Sequence, residues 1–236
     1  METLILAFLT ATPSVNAAFG GYSGILNVPS AQVRSNLALS FRWHEAARDD
    51  LLLSPQNTGT VNRTYVASLP LLPFLEVALG ALSVSDWFDP GFPHFETGFH
   101  RASFVKVRLP IQWSGPDFAL GAIDPIGANM LNGYDTKYGL TSYYAVATQR
   151  LGPLAITAGW GVGDRRLDNY ARRQAFLDGP FGGLALGLPL GFELLAEWDA
   201  LRPNGAIAWN GPFGISLLAG RIGSGWTAGA STALSL

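Results

Sequence analysis

Cysteine is absent from the 236 residues of this chain. Its absence excludes disulfide bonds, thiolate metal sites and cysteine nucleophiles, and it leaves an exported location open. Charge is also scarce, because only 14% of the residues are charged while 48% are hydrophobic. Ordinary soluble domains carry about 25% charged residues. The composition therefore indicates that much of the surface faces something other than water.

Long apolar runs are lacking as well. A membrane-spanning helix needs about 18 or more consecutive apolar residues, and no such stretch follows the N-terminus. The 28 glycines and 15 prolines are spread along the chain, where they would interrupt helices but suit short strands joined by turns. A net charge of −2 without a basic stripe gives no reason to expect a nucleic-acid partner.

The first residues have the pattern of an export signal. Leu4 to Leu9 form a short apolar core, and Val15-Asn16-Ala17 places small residues at a cleavage position. We predict a signal peptide over 1–17 and export to the outer membrane of a diderm bacterium. The alternative is an apolar N-terminal strand. The remainder, 18–236, is predicted to form one domain, in which 18–34 leads into the first strand.

Alternation of apolar with small or polar residues is the main structural signal. A period of two sends successive side chains to opposite faces of a strand. From Phe192 to Asp199, the three acidic residues fall on one face, and Phe192, Leu194, Ala196 and Trp198 fall on the other. A soluble β-sandwich would expose the charged face, whereas a membrane barrel would turn it towards the lumen and the apolar face towards lipid.

The connections between these segments favour a barrel. Short turns containing glycine and proline alternate with long loops at roughly 47–60, 86–98, 126–139 and 164–180, which is typical of outer-membrane barrels. We predict an all-β, transmembrane, up-and-down antiparallel barrel of about 12 strands, within a range of 10 to 14. The predicted strands are 35–46, 61–70, 74–85, 99–109, 117–125, 140–151, 154–163, 181–188, 191–200, 205–210, 213–221 and 226–236.

Charges on the inward face are the main candidates for function. Basic residues lie on early strands and acidic residues share one face of a later strand, so closure of the barrel could set them across from each other. They would then create a transverse field in an open pore or a salt-bridged plug. A small lumen favours the plug. The lumen candidates are Arg42, Lys106, Arg108 and either Arg101 or His100 on the basic side, and Glu193, Glu197 and Asp199 on the acidic side.

Two loops carry candidates for ligand binding. The loop 164–180 holds four arginines whose planar groups match anionic sugars or lipid phosphates, although a solvated loop is the simpler interpretation. The loop 86–98 is rich in aromatic residues that could stack on sugar rings or fold into the barrel mouth. The candidates are Arg165, Arg166, Arg172, Arg173 and Trp87.

The segment Gly21 to Ala31 resembles the opening of YjbH-type proteins, with the pattern Gly-x-x-Gly-hydrophobic-x-x-Pro-[Ser/Thr]-Ala. Ser103 to Leu109, Ala119 to Gly127 and Tyr143 to Gly163 are similar to later strands of that family. Leu194-Leu195-Ala196-Glu197-Trp198-Asp199 resembles its Leu-Leu-Ala-Glu-Tyr-Asp stretch. The resemblance implies an outer-membrane β-barrel protein linked to exopolysaccharide production or export. Long family members carry further domains, so their partner surfaces are not expected in full here.

We therefore expect a non-enzymatic outer-membrane barrel that supports polysaccharide export or forms a small, plugged or open pore. Its expected partners are outer-membrane lipids and polysaccharide or polysaccharide-export proteins, with no cofactor and no metal. The three histidines show no metal-binding spacing, and no Gly-x-Ser-x-Gly motif is present. Two alternatives stay open, namely an exported soluble β-sandwich that binds a ligand and a barrel hydrolase of lipids that uses His44 or His100.

Overall fold

The computed structural model describes residues 16–17, 23–45, 61–85, 97–111, 114–125, 141–163 and 177–234. Strands dominate these ranges, and the helical residues among them are two single-turn 3₁₀ segments, Pro189–Gly191 and Pro212–Gly214. The strands are β1 Asn16–Ala17, β2 Ser23–Gly24, β3 Leu37–Glu45, β4 Val61–Leu72, β5 Leu75–Ser85, β6 Thr97–Arg108, β7 Asp117–Ile123, β8 Ser142–Leu151, β9 Leu154–Gly163, β10 Gly179–Gly187, β11 Phe192–Trp198, β12 Pro203–Asn210, β13 Ile215–Ile222 and β14 Gly225–Leu234.

Strands β3 to β14 form one closed antiparallel barrel. Each strand pairs with its neighbours in sequence, and β14 pairs with β3 from Thr227↔His44 to Leu234↔Leu37 to close it. Closure leaves no unpaired sheet edge among these strands. The predicted barrel of about 12 strands is confirmed, and the β-sandwich alternative is wrong. The two short strands β1 and β2 pair with each other outside this sheet.

Side chains alternate between the lumen and the outer surface, as the period of two predicts. In β11, Glu193, Leu195 and Glu197 are buried while the residues between them are exposed. The exposed face is apolar along the barrel, with Leu79, Leu120 and Ile207 among the large side chains that it presents. The amphipathic pattern therefore has its polar face inside the barrel and its apolar face outside.

Aromatic residues gather on the outer face at both ends of the strands. Near the end that carries the long loops, Tyr143, Trp160, Trp198 and Trp226 are exposed, and near the opposite end Phe74, Phe192 and Phe213 are exposed. Such rings settle at the two interfaces of a membrane, where an apolar body and a polar rim are both accommodated. The outer face thus has an apolar band between two aromatic girdles.

The two rims differ in the length of their connections. One rim carries the connections 46–60, 86–96, 124–141 and 164–178 together with the short turns 199–202 and 223–224, and we call it the long-loop rim. The other, the short-turn rim, carries 73–74, 109–116, 152–153, 188–191 and 211–214, and the chain enters the barrel there at Leu37. This asymmetry matches the periplasmic turns and extracellular loops of outer-membrane barrels.

A close approach inside the wall requires glycine at position 159. The Phe181 ring on β10 covers Gly159 on β9, and a Cβ there would lie 2.3 Å from Phe181 Cζ and 2.6 Å from Ala145 O. We expect Gly159→Ala to lower the free energy of unfolding by about 1–3 kcal/mol, because part of the contact is with fixed backbone. Gly205→Ala is the control, since its Cβ would meet only Leu195 O at 3.5 Å.

Urea unfolding followed by tryptophan fluorescence in detergent measures the difference. Equal midpoints for the two glycine variants would contradict the close packing described for Gly159.

Candidate functional site

The chain before β3 folds back on itself inside the barrel. Ile25 N–H donates to Val28 O (2.9 Å), Ser30 N–H donates to Ser23 O (3.1 Å), and Gly24 and Pro29 form an antiparallel bridge. Residues 23–31 are buried. We call residues 23–34 the lumen hairpin. Its partners lie on β3, β5, β6, β8 and β11, which surround the lumen, so the hairpin occupies the interior of the barrel.

The tip of the lumen hairpin is held by the carboxylate of Glu197. The backbone N–H groups of Leu26, Asn27 and Val28 donate to its two oxygens over 2.9, 2.7 and 3.0 Å. Asn204 Nδ2 on β12 donates a fourth bond of 2.9 Å to the same group. Successive N–H groups of a tight turn form a concave anion site, and here the anion is a side chain of the barrel wall.

Asp199 and Arg42 complete the contacts at this tip. Asn27 Nδ2 donates to Asp199 Oδ2 over 2.8 Å, and Asn204 Nδ2 donates to the same oxygen over 2.8 Å. From another side of the lumen, the Arg42 guanidinium on β3 donates to Leu26 O over 2.8 Å. The turn therefore offers its N–H groups to the acidic wall and a carbonyl to the basic wall. The peptide groups of the turn thus lie between the acidic Glu197 and the basic Arg42 and bind both.

The base of the lumen hairpin is held by a buried ion pair near the short-turn rim. Lys106 Nζ on β6 lies 3.1 Å from Glu76 Oε2 on β5, and both side chains are 1% exposed. Ser23 joins them, because its N–H donates to Glu76 Oε1 over 2.8 Å and its carbonyl accepts from Lys106 Nζ over 2.9 Å. The Ser23 hydroxyl also contacts both side chains. Arg34, at the end of the hairpin, is half-buried and close enough to Glu76 to feel its charge.

The returning arm of the lumen hairpin binds to β8. Ala31 N–H donates to Thr148 Oγ1 over 2.9 Å, and Arg150 donates to the side-chain oxygen of Gln32. The apolar residues of the hairpin pack into a common core with inward residues of β7 to β12 and with Leu177, which precedes β10. This core contains Ile25, Leu26, Val28, Ala31, Ala119, Ile123, Tyr144, Val146, Ala155, Leu177, Phe181, Ala185, Leu195 and Ala208. Apolar packing and polar bonds thus hold the hairpin inside the lumen together.

The structure places five of the predicted lumen residues inside the barrel. Arg42, Lys106, Glu193, Glu197 and Asp199 are buried. Arg108, at the end of β6, is half-buried. Arg101 is exposed and points outwards, so strand alternation gives the inward position to His100, whose side chain lies outside the described residues. The basic and acidic walls are bridged by the lumen hairpin, and Lys106 pairs with Glu76 on the adjacent strand.

The loop candidates Arg165, Arg166, Arg172, Arg173 and Trp87 lie outside the described residues. Two elements of the site were not predicted from the sequence. One is Glu76, for which a signal existed, since it is a single carboxylate among the apolar residues of Leu75-Glu76-Val77-Ala78. The other is the lumen hairpin itself, which carries no periodic pattern and was predicted only to lead into the first strand.

The fold and the hairpin inside it define the class of protein, a closed 12-stranded antiparallel β-barrel with an internal hairpin. Comparison with known proteins gives no match to a family model, a curated protein or a solved structure. In the part of the chain that the structure describes, no helix is long and apolar enough to cross a membrane. The same residues hold no group of three or more His, Asp or Glu side chains arranged for a metal ion.

Proposed function

We propose that this protein is a non-enzymatic outer-membrane barrel whose lumen is closed at rest by its own N-terminal hairpin. The observation that carries the proposal is the binding of three successive backbone N–H groups, from Leu26 to Val28, by the buried carboxylate of Glu197. A hairpin held by such directional, charge-assisted bonds has a defined docked position. The same bonds can be exchanged for water when the hairpin leaves, which makes the closure reversible.

The membrane location in this proposal is supported by the outer face. Its apolar band, its two aromatic girdles and the different lengths of the connections at the two rims are the features of an outer-membrane barrel. Loop lengths orient the short-turn rim to the periplasm and the long-loop rim to the outside. The chain then enters the barrel from the periplasmic side, where Ser35 and Asn36, between the lumen hairpin and β3, are exposed to other envelope proteins.

The link to exopolysaccharide rests on the resemblance to YjbH-type proteins, and it stays a proposal. One structural fact agrees with this resemblance. The two most separated stretches of that resemblance, around Gly24 to Ala31 and around Glu197 to Asp199, bind each other directly. Residues that are about 170 positions apart thus form one site. We therefore propose that a partner in polysaccharide export acts on the lumen hairpin from the periplasm.

Cell fractionation and conductance test the proposal together. We expect the protein in the outer-membrane fraction, with a mobility on gels that changes on heating, because a closed barrel resists detergent until it is heated. In planar bilayers the purified protein should give no stable channel steps, since the hairpin fills the lumen. Recovery in the soluble periplasmic extract without heat-modifiable mobility would reject the proposed location, and frequent steps from the unaltered protein would reject the closed state.

Loss of the gene tests the polysaccharide link. We expect less secreted exopolysaccharide in the deletion strain, and restoration by the unaltered gene. A deletion strain with unchanged output under conditions that induce polysaccharide synthesis would contradict this part of the proposal and leave the closed barrel unaffected. The barrel hydrolase is the remaining alternative, and it predicts fatty acid released from phospholipid that disappears in His44→Ala and His100→Ala.

A further inference from the structure

Two arginines lie close together on the apolar outer face of the barrel. Arg63 on β4 and Arg101 on β6 are exposed and occupy outward positions, as strand alternation requires. Arg101 on β6 pairs with Ala81 on β5, and Ala81 pairs with Tyr65 on β4. Arg63 lies two residues nearer the long-loop rim than Tyr65. Two strand spacings and two residues along a strand put the two Cα atoms about 12 Å apart. Both guanidinium groups can therefore reach one headgroup.

An apolar crevice lies beside Arg101 on the same wall. Its volume is about 890 Å³, and its sides are formed by large outward residues, Leu39, Phe41, Tyr65 and Leu79. Three small residues, Ala67, Ala81 and Ala230, also line it. We call it the outer crevice. A depression of this kind in a wall that faces acyl chains offers a seat for one or two of them.

Two polar side chains at the outer crevice, Ser103 and Arg101, have no hydrogen-bond or ion-pair partner among the described residues. Ser103, two residues along β6 from Arg101, lines the crevice, and its buried hydroxyl has no hydrogen-bond partner among the described residues. Among the outward residues of β3 to β6 whose exposure is described, none is Asp or Glu, although the last residue of β3, Glu45, occupies an outward position diagonal to Arg63. Arg101 forms no ion pair with any described residue. Among the described side chains, Arg101 and the Ser103 hydroxyl therefore have no anionic partner on this wall.

An arginine on the lipid face of a barrel is costly unless its charge is compensated, and the cost falls towards the interface. Planar guanidinium groups bind phosphate through two parallel hydrogen bonds. From the outward arginines and the adjacent outer crevice we infer that this wall binds the phosphorylated lipid A moiety of an outer-leaflet lipopolysaccharide, with phosphates on Arg63 and Arg101 and an acyl chain in the crevice.

The choice of lipid A over a phospholipid follows from the height of the two arginines. Arg63 lies near the start of β4, which follows the long loop 46–60, and Arg101 lies in the first half of β6, which follows the long loop 86–96. Both charges therefore belong to the half of the wall nearer the long-loop rim. That rim faces outwards in the proposed orientation, where the outer leaflet consists of lipopolysaccharide. The inference rests on the proposed outer-membrane location in this respect.

The test measures retention of a defined lipid by the purified full-length protein. Native mass spectrometry in nonionic detergent would titrate hexa-acylated bis-phosphorylated lipid A against the unaltered protein, R63Q/R101Q and R221Q. Arg221 is the matched control, because it is another exposed outward arginine at the long-loop rim, where it stacks on the Trp226 ring and donates to Ser224 O. We expect R63Q/R101Q to weaken binding at least about tenfold, and R221Q to change it less than twofold.

Three further arms identify the ligand. Dephosphorylated lipid A should bind the unaltered protein and R63Q/R101Q equally, and Ala67→Phe, which fills the outer crevice, should weaken both forms of lipid A. Phosphatidylglycerol should compete poorly. Equal loss in R221Q and R63Q/R101Q, or equal competition by phosphatidylglycerol, would overturn the assignment. Outer-membrane fractionation of the same variants separates the two proposals, because a folded outer-membrane barrel that retains no lipid A would refute this inference alone.

Discussion

Replacing Glu197 with alanine is expected to open the lumen. The substitution removes the acceptor for three backbone N–H groups of the lumen hairpin and for Asn204 Nδ2. Hydrogen bonds to a charged group contribute about 1.5–3 kcal/mol each, and water replaces part of what is lost. A net weakening of about 3 kcal/mol raises the undocked fraction of the hairpin about a hundredfold. Channel steps in planar bilayers should become correspondingly more frequent.

Two further variants test how the frequency of channel steps depends on the Glu197 carboxylate. Glu197→Gln keeps the shape of the side chain and one acceptor oxygen, so we expect an intermediate frequency of openings. Asp117→Asn removes an exposed carboxylate at the start of β7 and should leave the lumen closed. If Glu197→Ala gives a folded, heat-modifiable barrel that is as silent as the unaltered protein, then Glu197 does not hold the hairpin in the lumen.

A cysteine label can separate release of the hairpin from general loosening of the barrel. Because the chain contains no cysteine, Ser30→Cys would supply a single thiol at a buried position of the hairpin. A polar maleimide should react slowly with this thiol in the otherwise unaltered protein and faster when Glu197→Ala is added. Faster labelling with unchanged urea stability would show that the hairpin leaves while the barrel stays folded.

The barrel was predictable from sequence because its signals are local. Strand β9 was predicted at its observed bounds, since Leu154 to Val162 alternates without interruption between two glycine-containing connections. β4 extends two residues beyond the prediction, through Pro70, where the pairing with β5 contains an irregularity. Alternation also indicated that Lys106 and Glu197 face inwards. These properties depend on neighbours within a few residues, which a single sequence contains.

The arrangement of the lumen could not be predicted in the same way. Ser23 binds Glu76 across 53 positions of the chain, and Asn27 binds Asp199 across 172. No period relates such residues, and the hairpin turn consists of Ile25, Leu26, Asn27 and Val28, which also suits a strand. Opposite charges on different strands suggested direct pairs across the lumen. The bridging role of backbone groups was not visible, because every residue has them.

Glu76→Gln is expected to be the most destabilising substitution of a single lumen side chain. It would leave Lys106 buried without its carboxylate partner and with the positive charge of the half-buried Arg34 nearby. Removal of one partner from a buried ion pair costs about 3–5 kcal/mol, because the remaining charge stays desolvated. Lys106→Met should cost less, since Glu76 keeps the N–H of Ser23 and the charge of Arg34.

The double variant E76Q/K106M tests whether the cost arises from uncompensated charge. Removing Lys106 together with the carboxylate takes away one of the two stranded cations, so the double variant should be more stable than Glu76→Gln alone. Urea midpoints of the four proteins give the coupling energy of the pair. Additive losses would mean that Glu76 and Lys106 act independently, and the base of the hairpin would then depend on the Ser23 hydrogen bonds instead of the ion pair.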